Sequence, residues 1–199
     1  MKNLIFLIGI FFLTNVLLAQ QASIDSKAPD FKLKDSYGKE YSLNEFKGKT
    51  VVLEWINYDC PFVKKHYDSK NMQQLQEKYT QKGVVWLAIC SSAKGKQGHF
   101  TNDEINKRSK EHGAKFTAYL IDEDGTVGKM YGAKTTPHMF IINSDGKLVY
   151  AGAIDDIKST DKEDVKKANN YVSKALDEIL SGKEVSTKTT TPYGCSVKY

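Results

Sequence analysis

The sequence predicts an α/β fold with a central mixed sheet flanked by helices, and three observations predict it. Two runs, "VVLEWIN" (51–57) and "VVWLAIC" (84–90), are apolar on both alternating faces, as strands covered on both sides of a sheet must be. Between them Val63, Tyr67, Leu75 and Tyr79 recur at multiples of four, which predicts one helix with a single buried face from Pro61 to about Lys82. Downstream, "TTPHMFIIN" and "KLVYAGAI" bracket Asp145-Gly146, a turn pair that folds the second strand back along the first. A strand–helix–strand beginning and a hairpin ending together give a mixed sheet.

The elements follow in order. Met1-Lys2-Asn3 carries one positive charge, Leu4 to Leu18 is a nearly unbroken apolar run, and Ala19 is a small residue suited to cleavage, so residues 1–19 read as a secretory signal. The run is shorter than the roughly 20 apolar residues of a spanning helix, and Thr14 and Asn15 interrupt it, so no stable membrane span is expected. Export to a periplasmic or other extracytoplasmic space would let disulfides persist. Residues 20–182 are expected to form one domain. It opens on "APDF" and a hairpin around "DSYGKEYSL", and continues beyond Cys90 through a Gly- and Lys-rich mobile loop. A helix follows from Asp103 to Glu111, then a strand "TAYLI" and a short helix from Thr126 to Tyr131. A last helix runs from Asp164 to Ser181 and is stopped by Gly182. Residues 183–199 form a polar, Thr-rich tail that carries Cys195.

Charge narrows the function. The net charge is +5, and nearly all the positive charge is lysine interspersed with Asp and Glu; Arg108 is the only arginine. Sequence-specific nucleic-acid binding leans on arginine forks, so no nucleic-acid partner is expected. The three cysteines are Cys60, Cys90 and Cys195, an odd number that leaves one thiol unpaired after any single disulfide.

"NYDCPFVKKH" (57–66) puts Cys60 at the junction of a buried strand and a helix. Pro61 suits the first helical position, where its missing N–H would have had no partner. A sulfur there meets unpaired backbone N–H groups and the positive end of the helix dipole, which favour thiolate over thiol. Lys64, one turn on, can add positive potential. Redox chemistry requires this sulfur to reach solvent and to face those amides; an inert core thiol is the alternative. Glu54 lies in the same apolar strand, where burial would raise its pKa toward neutrality and suit it to accept and release a proton.

"APDF" with its hairpin, "VVLEWIN" leading into "CP", "YGAKTTPHMFIINSDGKLVYAG" and the last helix together resemble the thioredoxin fold in its redoxin form, from about Ala28 to Gly182. "CPFVKKH", "TPHMF", "GAIDD" and "GCSVKY" resemble more narrowly the peroxiredoxin-like group, of the alkyl hydroperoxide reductase and thiol-specific antioxidant superfamily, that keeps only the first cysteine of the thioredoxin pair. The resemblance implies a protein thiol or disulfide as partner, no cofactor, and a proton-relay role for Glu54. It also implies a cis Thr136–Pro137 bond that presents Thr136 to a substrate polypeptide, with Pro61 and His138 beside the groove. Peroxidase activity is the second reading, because Asn57 stands where peroxiredoxins carry a hydroxyl residue and Arg108 belongs to another helix. A non-catalytic binding module is the third. Metal is not expected: Lys64 stands where copper-delivery proteins of this fold have a second cysteine, and Cys60 with His138 gives too few ligands for structural zinc.

Val63 occupies the usual position of the second thiol, so Cys60 needs a distant partner. Cys195 follows Gly182 by about 13 residues, and an extended tail of that length reaches on the order of 40 Å, enough to cross a domain of this size. Gly194 would permit a close backbone approach. Cys90, at the end of the neighbouring strand, is the alternative thiol, and a frayed tail with a free Cys195 is the remaining case.

Overall fold

The computed structural model describes residues 21–199, so the segment read as a secretory signal lies outside the described residues. Among the described residues no helix is long and apolar enough to cross a membrane.

The opening hairpin pairs β1 (Lys32–Asp35) with β2 (Glu40–Ser42), Leu33 opposite Tyr41. The Asp35 carboxylate closes its turn by accepting from the Tyr37 and Lys39 backbone N–H groups, both at 2.9 Å. The next strand, β3 (Val51–Trp55), is buried along its whole length. It lies parallel to β4 (Val85–Cys90) on one side and antiparallel to β7 (His138–Ile142) on the other, so Leu53 faces Leu87 and Phe140. Outside β4 runs β5 (Ala118–Ile121), parallel to it; outside β7 runs β8 (Leu148–Gly152), antiparallel after the Asp145-Gly146 turn. The order β2-β1-β5-β4-β3-β7-β8 makes a seven-stranded sheet, mixed as the sequence predicts.

Alternation along β3 splits the core between the two faces. Val52 packs with Trp86, Met139 and Tyr150, while Val51, Leu53 and Trp55 join Leu87, Leu120 and Phe140 on the opposite face. The first face is covered by α1 (Pro61–Asp68), α2 (Asn71–Thr80) and α5 (Tyr171–Leu180), through Val63, Tyr67, Leu75, Tyr79 and Leu176. Val127 and Tyr131 of α4 (Thr126–Tyr131) cover the second. A fully buried side chain of this size contributes about 1.5–3 kcal/mol, so a layer of this kind suffices to hold the helices on the sheet.

Two helices differ from their sequence prediction. The segment expected as one helix to Lys82 breaks at Lys70, which takes a left-handed conformation with φ 64°. At the break the Tyr67 carbonyl accepts from the Lys70 N–H at 3.1 Å and from the buried Gln73 side chain at 2.9 Å. The last helix begins at Tyr171 rather than Asp164, because Asn170 caps it by accepting from the Ser173 N–H at 2.8 Å. Residues Lys162–Lys166 form a separate 3-10 turn. Between β4 and β5, α3 (Asn102–His112) ends on left-handed Gly113.

The tail beyond α5 packs against the domain. The Lys188 carbonyl accepts from Ala151 N–H at 3.0 Å, and Thr190 N–H donates to the Ala151 carbonyl at 3.2 Å, along the edge of β8. It then forms β9 (Cys195–Ser196), which pairs antiparallel with β6 (Thr135–Thr136).

Candidate functional site

The corner that holds Cys60 is built by Asn57. Its carbonyl accepts from the Cys60 N–H at 3.0 Å, its side-chain oxygen accepts from Asp59 N–H at 2.9 Å, and its amide donates to the Gln97 carbonyl at 3.2 Å. Cys60 is then the N-cap of α1, with Pro61 as the first helical residue. Its thiol makes no cap bond; it donates instead to the Thr136 carbonyl at 3.0 Å.

The Thr136–Pro137 bond is cis, and Thr136 stands opposite Cys195 in the β6–β9 pair. The Cys195 and Cys60 side chains interact electrostatically across this pair. All three cysteines are free thiols in this structure. Gly194 permits the approach, at φ 142°, because a Cβ there would overlap the Thr136 carbonyl oxygen.

The two sulfurs have opposite electrostatics. Burial pushes the Cys60 thiol up, but hydrogen bonds from the Cys195 side chain and backbone, the Thr136 side chain and the Val63 backbone outweigh it and hold its pKa below the ordinary value. The Thr136 hydroxyl is buried with no partner of its own while Cys60 keeps its proton, so it is free to turn to the ionised sulfur. The Cys195 thiol is pushed up to about 11 by burial and by its hydrogen bond to, and the charge of, Cys60. Within the pair Cys60 is the sulfur that ionises more readily and Cys195 the one that holds its proton more firmly. Cys60 is 0% exposed, contrary to the accessible sulfur expected from sequence, because the tail lies over it.

Glu54 is fully buried. Burial raises its pKa to about 7, against the pull of hydrogen bonds from Trp86 at 2.8 Å, Gln76 at 3.0 Å and Tyr67 at 3.0 Å. Cys60 is not among these partners. His138 is buried on the strand side of the loop. Its Nδ1 accepts from Lys134 N–H at 3.2 Å, its ring lies 4.3 Å from that of Phe140, and burial with the nearby Lys134 charge lowers its pKa to about 4. Cys90 is buried at the end of β4, where its thiol reaches Ser92 Oγ and the Gly98 carbonyl, both at 3.4 Å. Neither Cys60 nor Cys195 is among its hydrogen-bond partners. Lys64 is exposed, whereas its neighbour Lys65 is buried.

That neighbour belongs to a cluster the sequence reading missed. Lys65 Nζ lies 3.2 Å from Asp155 Oδ2, 2.7 Å from the Ile157 carbonyl and 3.3 Å from the Tyr193 hydroxyl. The Tyr193 hydroxyl donates to Asp155 Oδ1, and His66 Nε2 lies 3.4 Å from it. The only signal in the sequence was that Asp155 and Tyr193 fall in or beside the quoted motifs "GAIDD" and "GCSVKY". The charged side chains themselves read as surface. A cavity of about 310 Å³ sits at the far end of β3, lined by Leu43, Phe46, Val51 and Ile142, and no cysteine lines it.

A seven-stranded mixed sheet with a cysteine at the strand-to-helix corner, facing a cis-proline loop, defines a thioredoxin-like fold protein. The chain belongs to the Redoxin family, whose profile matches residues 24–171. It is 31% identical over 130 residues to the thiol-disulfide oxidoreductase ResA of Bacillus thuringiensis subsp. konkukian, covering 65% of this chain and 69% of that protein. It is 30% identical over 137 residues to ResA of Bacillus subtilis, covering 68% and 71%. A solved structure of an uncharacterized conserved protein from Geobacillus kaustophilus superposes with TM-score 0.75 at 30% identity, covering 89% of this chain and 92% of that one.

Proposed function

We propose that the chain is an exported thiol-disulfide oxidoreductase in which Cys60 is the nucleophile and Cys195 the resolving thiol. The coarse class follows from family membership and from relatives that bear that name. Export rests on the sequence of residues 1–19. The observation that carries the residue roles is the placement of Cys195 opposite Thr136, whose carbonyl the Cys60 thiol meets at 3.0 Å, with a Cys60 pKa below the ordinary value and a Cys195 pKa above it.

The steps balance as two thiol-disulfide exchanges. With the tail in place Cys60 is 0% exposed, so the first step requires the tail to move aside. The Cys60 thiolate then attacks one sulfur of a substrate disulfide; the S–S bond breaks, a Cys60–substrate disulfide forms, and the other substrate sulfur leaves as a thiolate. Cys195, having given up its proton, attacks the Cys60 sulfur and releases the second substrate thiolate. Both leaving thiolates take up the protons that the pair has lost. The substrate gains two electrons, and the chain is left with a Cys60–Cys195 disulfide, which an external dithiol reduces. Run backwards, the same steps oxidise a substrate dithiol. Glu54, with its pKa near 7, is proposed as the proton store of the site. Its bonds go to Tyr67, Gln76 and Trp86, so a relay to the sulfur pair needs an intervening group.

The peroxidase reading is supported by a partial match, 36% identity over 76 residues and 38% of this chain to glutathione peroxidase 1 of Helianthus annuus, but not by the side chains expected to activate peroxide. The Asn57 side chain is taken up by Gln97 and Asp59, and the Arg108 guanidinium by Asp59 and Glu104, both at 2.9 Å. Peptide mapping of the oxidised protein under non-reducing conditions tests the proposal. A peptide joined through Cys60 and Cys195 is expected, and a Cys60–Cys90 peptide in its place would assign the resolving role to Cys90.

A further inference from the structure

The tail lies in the position where a substrate polypeptide would meet the cis-proline loop. Its Cys195 takes the register opposite Thr136 that a substrate cysteine would need. A substrate and the tail therefore exchange for one place, and what holds the tail also describes what the groove recognises.

The β6–β9 pairing is two residues long, with Gly194 and Cys195 half-buried and Ser196 exposed. Beyond it Val197 N–H donates to the Lys134 carbonyl at 3.1 Å, Ala93 N–H to the Lys198 carbonyl at 2.8 Å and the Tyr199 hydroxyl to the Ala133 carbonyl at 2.8 Å. Tyr193 is different. It is 5% exposed, its ring meets Phe62 edge-on at 5.8 Å, and its hydroxyl enters the buried cluster of Lys65, His66 and Asp155. The cluster satisfies a phenol in full. Asn71 Nδ2 contacts His66 Nδ1 at 2.9 Å; with Asn71 as donor, the His66 proton sits on Nε2, toward the tyrosine oxygen. That oxygen then accepts from Lys65 and His66 while its own proton goes to Asp155. A phenylalanine ring would leave these buried polar groups short of a partner, which is how a site built for a hydroxyl rejects its analogue. One residue further on, contact with the Thr136 carbonyl admits only glycine.

We propose that Lys65, His66 and Asp155 form a subsite that selects a tyrosine two residues before the cysteine presented to Cys60. The partner polypeptide then carries Tyr-Gly-Cys in an extended segment, and the tail is its intrachain stand-in. This rests on the reading of Cys60 as the reacting thiol.

The test uses the reduced full-length chain and the rate at which iodoacetamide alkylates Cys60, read by peptide mass. Tyr193→Ala is expected to raise that rate at least tenfold by releasing the tail, and Tyr193→Phe at least severalfold. The synthetic peptide Thr-Pro-Tyr-Gly-Ser-Ser-Val-Lys-Tyr, with serine for the cysteine, is then added to the Tyr193→Ala protein. It is expected to restore protection, and the same peptide with alanine at its third position is expected not to. Equal protection by both peptides, or by neither, overturns the subsite, as does an unchanged rate in both variants. If Tyr193→Ala fails to fold, Tyr193→Phe decides with the same two peptides. The Cys195 donors that favour the Cys60 thiolate leave with the tail, so the alkylation rate of the released state does not judge the functional proposal. Retained disulfide reduction in Cys60→Ser would overturn that proposal, while the peptide comparison decides the subsite.

Discussion

Replacing Cys60 with serine is expected to bring reduction of a small aromatic disulfide down to the uncatalysed rate, a loss of more than about 10³-fold. The reason lies in ionisation. A thiolate attacks sulfur readily, and the Val63 N–H, the Thr136 hydroxyl and the Cys195 donors stabilise that form at this corner. A serine hydroxyl in the same place stays protonated at neutral pH and cannot form the mixed disulfide. Cys195→Ser should behave differently, because it leaves the first exchange intact and removes the second. The expected result is one fast turnover, with a covalent Cys60 adduct visible by intact mass, and slow turnover thereafter. Full turnover in Cys60→Ser would remove Cys60 from the mechanism; full turnover in Cys195→Ser would show that resolution comes from elsewhere.

Glu54→Gln is expected to change how stability depends on pH. In the unfolded chain this carboxyl loses its proton near 4.5, whereas in the folded chain burial keeps it protonated to about 7. Between those values the folded state binds more protons than the unfolded state, so stability falls as pH rises, by about 1.4 kcal/mol per unit, and levels off above pH 7. The accumulated cost at pH 7 and above is roughly 3 kcal/mol. Glutamine keeps the hydrogen-bonding shape without a charge and should remove this slope. His66 and His138, with pKa values lowered by burial to about 3 and about 4, give the opposite slope below pH 6.5 in both proteins. The quantity to measure is therefore the difference between wild type and variant, by urea unfolding at pH 5 and pH 7.5. Parallel profiles would mean that Glu54 is not held protonated at neutral pH.

Much of the scaffold was legible because its physics is local. A strand covered on both faces must be apolar at successive positions, and both β3 and β4 carry that pattern in their own residues. The Cys60-Pro61 step marks a helix start by the missing proline N–H alone. The break at Lys70 was not legible, because Val63 and Tyr67 before it and Leu75 and Tyr79 after it cover the same face of the sheet, so the apolar spacing runs on across the break. Asn170 delayed the start of the last helix in the same silent way, since a cap acts through one side chain and leaves the periodicity beyond it unchanged.

The sequence by itself determined the sheet, the corner that holds Cys60, and the presence of a second thiol with enough chain to reach it. Only the tertiary structure decided that Cys195 meets Cys60 across the Thr136 strand, that the tail covers the sulfur, and that Lys65 is buried while Lys64 is exposed. Spacing along a chain fixes which residues share an element, but a charged side chain is buried only when its partners arrive. Asp155 and Tyr193 reach Lys65 from 90 and 128 residues away, and no local pattern can announce such a meeting.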